Sequence, residues 1–155
     1  MINIRKLLFE TNSSSVHSIT MCDEDDYNAW VAGEKLFCEN TNKFYTDSEL
    51  LIYMKSQKLL NDCFKYDWRA HTFEYDGKTY DINERYDLAD KLVSVISDEE
   101  AREYYEQMKY DDPDSIPVDF DSWTEHKEDE YETFTDTHTT KSGSNVVAFG
   151  YYGHD

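Results

Sequence analysis

Thr72-Phe73-Glu74-Tyr75-Asp76-Gly77-Lys78-Thr79-Tyr80-Asp81-Ile82 decides the fold class of this chain. Two runs that alternate aromatic or apolar residues with polar ones flank an Asp-Gly pair. A two-residue Asp-Gly loop suits a type I′ turn, because both of its central residues need positive φ. Side chains alternate faces along a strand. Pairing across the turn therefore puts Phe73, Tyr75, Tyr80 and Ile82 on one face, and Thr72, Glu74, Thr79 and Asp81 on the other. The result is a half-buried hairpin, whose apolar face must pack on another layer.

That layer is predicted on both sides of the hairpin. Downstream, Leu88, Ala89, Leu92, Val95 and Ile96 recur at helical spacing. Ser97-Asp98-Glu99-Glu100 reads as a capping box, followed by Ala101, Tyr104, Tyr105 and Met108 at i, i+3, i+4 and i+7. Upstream, Thr46-Asp47-Ser48-Glu49 is another capping box, and it predicts a helix to about Leu60. Asp23-Glu24-Asp25-Asp26 opens a short helix, with acids where the helix dipole favours them, and Gly33 is placed to end it. Residues 35–38 read as a brief strand. Strand pairs are predicted near both termini: residues 4–9 and 16–22 around a polar loop, and 131–139 and 145–152 around Lys141-Ser142-Gly143-Ser144. The expected class is α+β, with antiparallel strand pairs and hairpins packed with three to four amphipathic helices.

The chain has 155 residues, which predicts one acidic domain spanning 1–155, with a seam at 111–117, where both prolines fall. Aromatic content is 15%, carried largely by 13 Tyr and 8 Phe. Acidic disordered chains are poor in aromatics, so a folded domain with a charged surface is expected. No apolar stretch approaches the roughly 18 residues a membrane span needs, and no apolar run of signal-peptide type follows the first residues. Three cysteines at wide spacing suit a reducing compartment better than a disulfide framework, so a cytoplasmic setting is expected.

Charge bounds the partner. The formal net charge is -19, and residues 111–155 hold 12 acids against 2 bases. Such a chain repels nucleic acid and anionic membranes and attracts basic protein surfaces. A small domain usually carries about 2 to 8 net charges, and self-repulsion costs stability beyond that. The candidate partner-binding surface is the acidic and aromatic stretch containing Asp119, Asp121, Trp123, Glu125, Glu128, Asp129, Glu130, Glu132 and Asp136, with Phe120, Tyr131 and Phe134 interleaved. In a strand Asp119 and Asp121 would point the same way, about 7 Å apart, and a row of this kind approximates a phosphate track. The plainer reading is a solvated face that keeps the protein soluble.

A second candidate is the loop Asn12, Ser13, Ser14 and Ser15 with His17. Hydroxyls and loop amides could hold an anion there, with His17 as acid, base or ligand. The plainer reading is a turn in which Asn and Ser side chains bond back to nearby amides. No nucleophile elbow, no complete phosphate-loop motif and no metal-ligand spacing of Cys or His occurs. No catalytic residue, metal or cofactor is therefore assigned.

The string Phe9-Glu10-Thr11-Asn12-Ser13-Ser14-Ser15-Val16-His17-Ser18 resembles the opening of small uncharacterised proteins of phages and mobile elements. The likeness covers about the first 18 residues. It implies a phage or prophage setting and transfers no activity. Charge and setting together lead to the expectation of an inhibitor that fills the basic groove of a nucleic-acid-binding defence protein of the host, of anti-CRISPR or anti-restriction type, by nucleic-acid mimicry. The alternatives are a small enzyme or a nucleotide- or phosphate-binding protein built on the Asn12–Ser18 loop, and a phage accessory or structural protein whose acidity only solubilises.

Overall fold

The Asp76-Gly77 turn carries φ of 49° and 75°, the pair of positive values that a type I′ hairpin requires. In the computed structural model, which describes residues 17–153, this turn joins β5 (Thr72–Tyr75) to β6 (Lys78–Asp81). Phe73 lies opposite Tyr80 and Glu74 opposite Thr79, so the faces are those the alternation predicts. Ile82 leaves the strand and starts a 3-10 turn, but remains buried. A third strand that the alternation does not reveal, β4 (Lys65–Asp67), pairs on the other side of β5. Its three residues are too few to show a period.

The class is α+β, with five α-helices and three small antiparallel sheets among the described residues. The helices are α1 (Glu24–Val31), α2 (Asp47–Lys58), α3 (Arg85–Leu92), α4 (Asp98–Asp111) and α5 (Phe120–Glu128). The remaining strands are β1 (His17–Asp23), β2 (Leu36–Cys38), β3 (Lys43–Tyr45), β7 (Glu132–Thr139) and β8 (Asn145–Tyr152). The predicted strand over residues 4–9 lies outside the described residues. The chain forms two compact units, residues 45–117 and the pair of segments that flank them, with one boundary at the end of the proline-bearing stretch.

In residues 45–117, Thr46 caps α2 with a full capping box: its hydroxyl accepts from the Glu49 amide, and the Glu49 carboxylate accepts from the Thr46 amide. Ser97 caps α4 by accepting from the Glu100 amide at 3.1 Å. The sheet β4-β5-β6 covers a core of Leu59, Leu60, Phe64, Phe73, Ile82, Ala89 and Ile96. The helix predicted over Leu88 to Ile96 is shorter than its apolar spacing suggests, because α3 tightens into a 3-10 turn at Val93–Val95. Arg102 and Asp47 link α4 to α2 at 3.0 Å.

In the other unit β8 is the central strand, flanked by β1 and β7. Ser18 lies opposite Tyr151 and Thr20 opposite Phe149, and on the other side Thr133 lies opposite Tyr151 and Thr135 opposite Phe149. Trp30 of α1 is fully buried and meets Phe37, Phe44, Phe120, Trp123 and Phe149 with ring centroids between 4.9 and 6.0 Å. Its indole N–H donates to the Val118 carbonyl at 3.0 Å, which satisfies the only polar atom of a large buried side chain. Phe37 and Val118 exchange both backbone hydrogen bonds at 2.9 Å. Gly33, φ 80°, ends α1, and its amide donates to the Trp30 carbonyl.

Candidate interaction surface

Asp119 does not stand in a strand beside Asp121. It is the N-cap of α5, accepting from the Ser122 amide at 2.7 Å and from the Ser122 hydroxyl at 2.9 Å. A cap oxygen satisfies one of the orphan amides of a helix start, so this carboxylate serves the fold. Trp123 is a second correction. It is 6% exposed and packs on Trp30, Phe149 and Tyr151. Phe120 likewise turns inward, onto Trp30. Of the interleaved aromatics, Trp123 belongs to the core, while Tyr131 and Phe134 are half-buried against Tyr151 and Tyr152.

The other candidate acids remain on the outside. Asp121, Glu125 and Glu128 sit at i, i+4 and i+7, on the side of α5 away from Trp123. At 1.5 Å per residue, their axial steps are about 6 and 4.5 Å. Asp129 and Glu130 follow in the turn after α5, and Glu132 and Asp136 lie on β7, all exposed. β7 is an outer strand of its sheet, so these carboxylates lie at its edge. Glu128 accepts from the Thr133 hydroxyl and Glu132 from the Tyr152 hydroxyl, which ties α5 and the end of β8 to β7.

The residue that sharpens this surface is a base. Lys127 is 5% exposed; its Nζ lies 2.8 Å from Glu39 and 4.6 Å above the Tyr151 ring centroid. Tyr151 donates to Glu39 at 2.7 Å. Burial and the hydrogen bond to the Glu39 carboxylate push the Tyr151 phenol up to about 12, against the pull of Lys127 and Ser18. The two bases of residues 111–155 are Lys127 and Lys141. With Lys127 buried against its own anion, Lys141 in the β7–β8 turn is the single exposed lysine or arginine of that stretch.

Among the described residues, nucleophiles and metal ligands give no competing centre. No disulfide links Cys22, Cys38 and Cys63. Burial, reinforced by Asp26 and Asp23, pushes the Cys22 thiol up to about 12, and burial also raises Cys63, so neither is an activated thiolate. Among the described residues no group of three His, Cys, Asp or Glu is placed to hold a metal. No helix among them is long and apolar enough to cross a membrane. Of the serine-rich loop, Asn12, Ser13, Ser14 and Ser15 lie outside the described residues; His17 begins β1, opposite Tyr152.

Comparison with known protein families, with curated proteins and with solved structures finds no match.

The sequence pattern missed α5 because one core position of its inner face is a lysine. Phe120, Trp123, Thr124 and Lys127 stand at i, i+3, i+4 and i+7, a helical stripe. Read by apolar residues alone the stripe stops after one turn. Glu39, 88 positions away in the chain from Lys127, carries no local sign that it faces a buried cation.

Proposed function

We propose that this chain is a binding protein that occupies a basic, nucleic-acid-binding groove on another protein, presenting carboxylates where the groove would take phosphates. The observation that carries the reading is the sequestration of Lys127 against Glu39. It leaves Asp121, Glu125, Glu128, Asp129, Glu130, Glu132 and Asp136 as exposed anions with Lys141 as the one exposed lysine or arginine near them in sequence. A helix that buries its base and displays its acids is what a surface selected for negative potential requires; a surface needing only solubility tolerates mixed charge. The resemblance of residues 9–18 to phage and mobile-element proteins supports a host defence enzyme, of restriction or CRISPR type, as the target, since such enzymes line their nucleic-acid channels with Lys and Arg. The mechanism is competition, and it uses no cofactor and no bond-making step.

The experiment is capture of partners on the immobilised chain at low salt, followed by elution with duplex DNA and, separately, with salt. Surface charge interactions are screened over about 10 Å at 0.1 M. The expected partner is a nucleic-acid-binding protein released by either eluent, and its cleavage activity falls when the chain is added. Binding of equal strength from about 0.05 to 0.5 M salt, or a partner that DNA does not displace, overturns the reading.

A further inference from the structure

We infer that Trp68 is an anchor on which an arginine side chain of the partner seats by a cation–π contact; the inference rests on the partner being basic, as proposed above. Trp68 follows β4 and is 63% exposed. Its ring stacks on Tyr66, with centroids 5.0 Å and planes 19° apart. Tyr66 is itself fixed: its hydroxyl donates to the Leu60 carbonyl at 2.5 Å, and its ring leans on Phe73, which stacks on Tyr80. The backbone around Trp68 is fixed as well. Asp67 Oδ1 accepts from the amides of Arg69 and Ala70, both at 3.1 Å, and His71 turns the chain into β5 with φ 56°. Trp68 is thus the solvent end of an aromatic ladder across the sheet β4-β5-β6. A side chain so held loses little freedom when a partner covers it, and tryptophan is the residue most enriched at the centres of binding interfaces.

The occupant follows from charge and from what the molecule does with its other rings. Residues 45–117 hold 18 acids against 9 bases, so their field concentrates cations. Within the described chain, cations already sit on tyrosines: Lys58 on Tyr104 at 5.4 Å, Arg85 on Tyr86 at 4.4 Å and Lys127 on Tyr151 at 4.6 Å. Tryptophan is the best ring for this contact, yet no cation of the described residues lies over Trp68. Arg85 is committed elsewhere, donating to the Ile82 carbonyl at 2.8 Å and to the Tyr86 hydroxyl at 3.2 Å. Arginine is the cation that fits, because its planar, weakly hydrated guanidinium stacks on an indole face where an ammonium keeps its water.

The test uses the full chain with an oligoarginine peptide, and an oligolysine peptide of equal length for comparison. Trp30 and Trp123 are buried, so acrylamide quenching of tryptophan fluorescence reports Trp68. Oligoarginine is expected to shield Trp68 from acrylamide. Trp68→Ala is expected to bind it about two- to fivefold more weakly, with a smaller loss for oligolysine. Trp68→Phe, which keeps a stacking ring, retains most of the binding. The wild-type quenching and the Trp68→Phe titration decide the matter even where Trp68→Ala fails to fold. Oligoarginine bound equally well by Trp68→Ala, or quenching unchanged at saturating peptide, overturns the anchor and leaves the acidic-surface reading standing. Failure of both peptides to bind the wild-type chain at about 0.05 M salt overturns both readings.

Discussion

Taking a lysine ammonium out of water costs several kcal/mol unless an anion meets it in good geometry. Lys127 has that anion in Glu39 at 2.8 Å, and the Tyr151 ring beneath it. Truncating one partner of such a pair leaves the other desolvated and alone. Lys127→Ala is therefore expected to lose about 3 kcal/mol in denaturant unfolding, while Lys127→Met combined with Glu39→Gln recovers most of that loss. A single Lys127→Ala variant within about 0.5 kcal/mol of wild type would show the pair to be dispensable. Tyr151 makes a pH prediction at the same cluster. Its pKa is raised to about 12 in the folded chain, from the ordinary phenol value of 10.0. The folded state therefore holds this proton more tightly than the unfolded state. The resulting stability is fully present below about pH 10 and is lost as pH rises through about 12. Unfolding followed across that window should show a fall in stability that Tyr151→Phe reduces, and ultraviolet titration should show the last tyrosinate step missing from the variant.

Elements declare themselves in sequence where their signals are local. Thr46 and Ser97 mark helix starts because a cap is a bond across three residues. Gly77 marks the hairpin because its φ of 75° excludes β-branched residues at little cost to Gly. Gly77→Val should cost about 1 to 3 kcal/mol, read as a lower thermal midpoint; an unchanged midpoint is incompatible with the turn described. α5 escapes such reading for the reason given above, and with it the meaning of Asp119. Its two roles, cap and anion, separate by substitution. Asparagine caps as well as aspartate, so Asp119→Asn is expected to keep stability and Asp119→Ala to lose about 1 kcal/mol. Partner binding that weakens in Asp119→Ala only as far as unfolding explains would assign this carboxylate to the helix alone. The candidate surface is accordingly legible in part: Glu125, Glu128 and Glu130 were readable as solvent-facing acids, while Trp123 was not readable as core, because tryptophan beside acids suits an interface as well as an interior.

At the scale of the whole molecule the informative contacts are distant ones. β1 pairs with β8 across more than 120 residues, and no local pattern specifies that match. Net charge, by contrast, is a property of the whole and is fully legible. Each compact unit carries its own excess of acids, so repulsion acts within each as well as on partners. Salt should therefore stabilise the chain: the thermal midpoint is expected to rise as NaCl goes from about 0.01 to 0.3 M, where the screening length falls from about 30 Å to below 10 Å. A neutral osmolyte series separates screening from exclusion effects. The decisive variant is Glu125→Gln with Glu128→Gln and Glu130→Gln. None of the three caps a helix, and a Gln carbonyl at 128 can still accept from the Thr133 hydroxyl, so neutralising them relieves repulsion and should raise the midpoint at low salt. If their charge serves a basic partner, the same variant should bind that partner more weakly, chiefly through slower association, and the difference should shrink with salt. Acidity kept against the interest of stability is the signature of a functional surface. A variant that gains stability and binds its partner with undiminished rate would place the acids of α5 on the side of solubility.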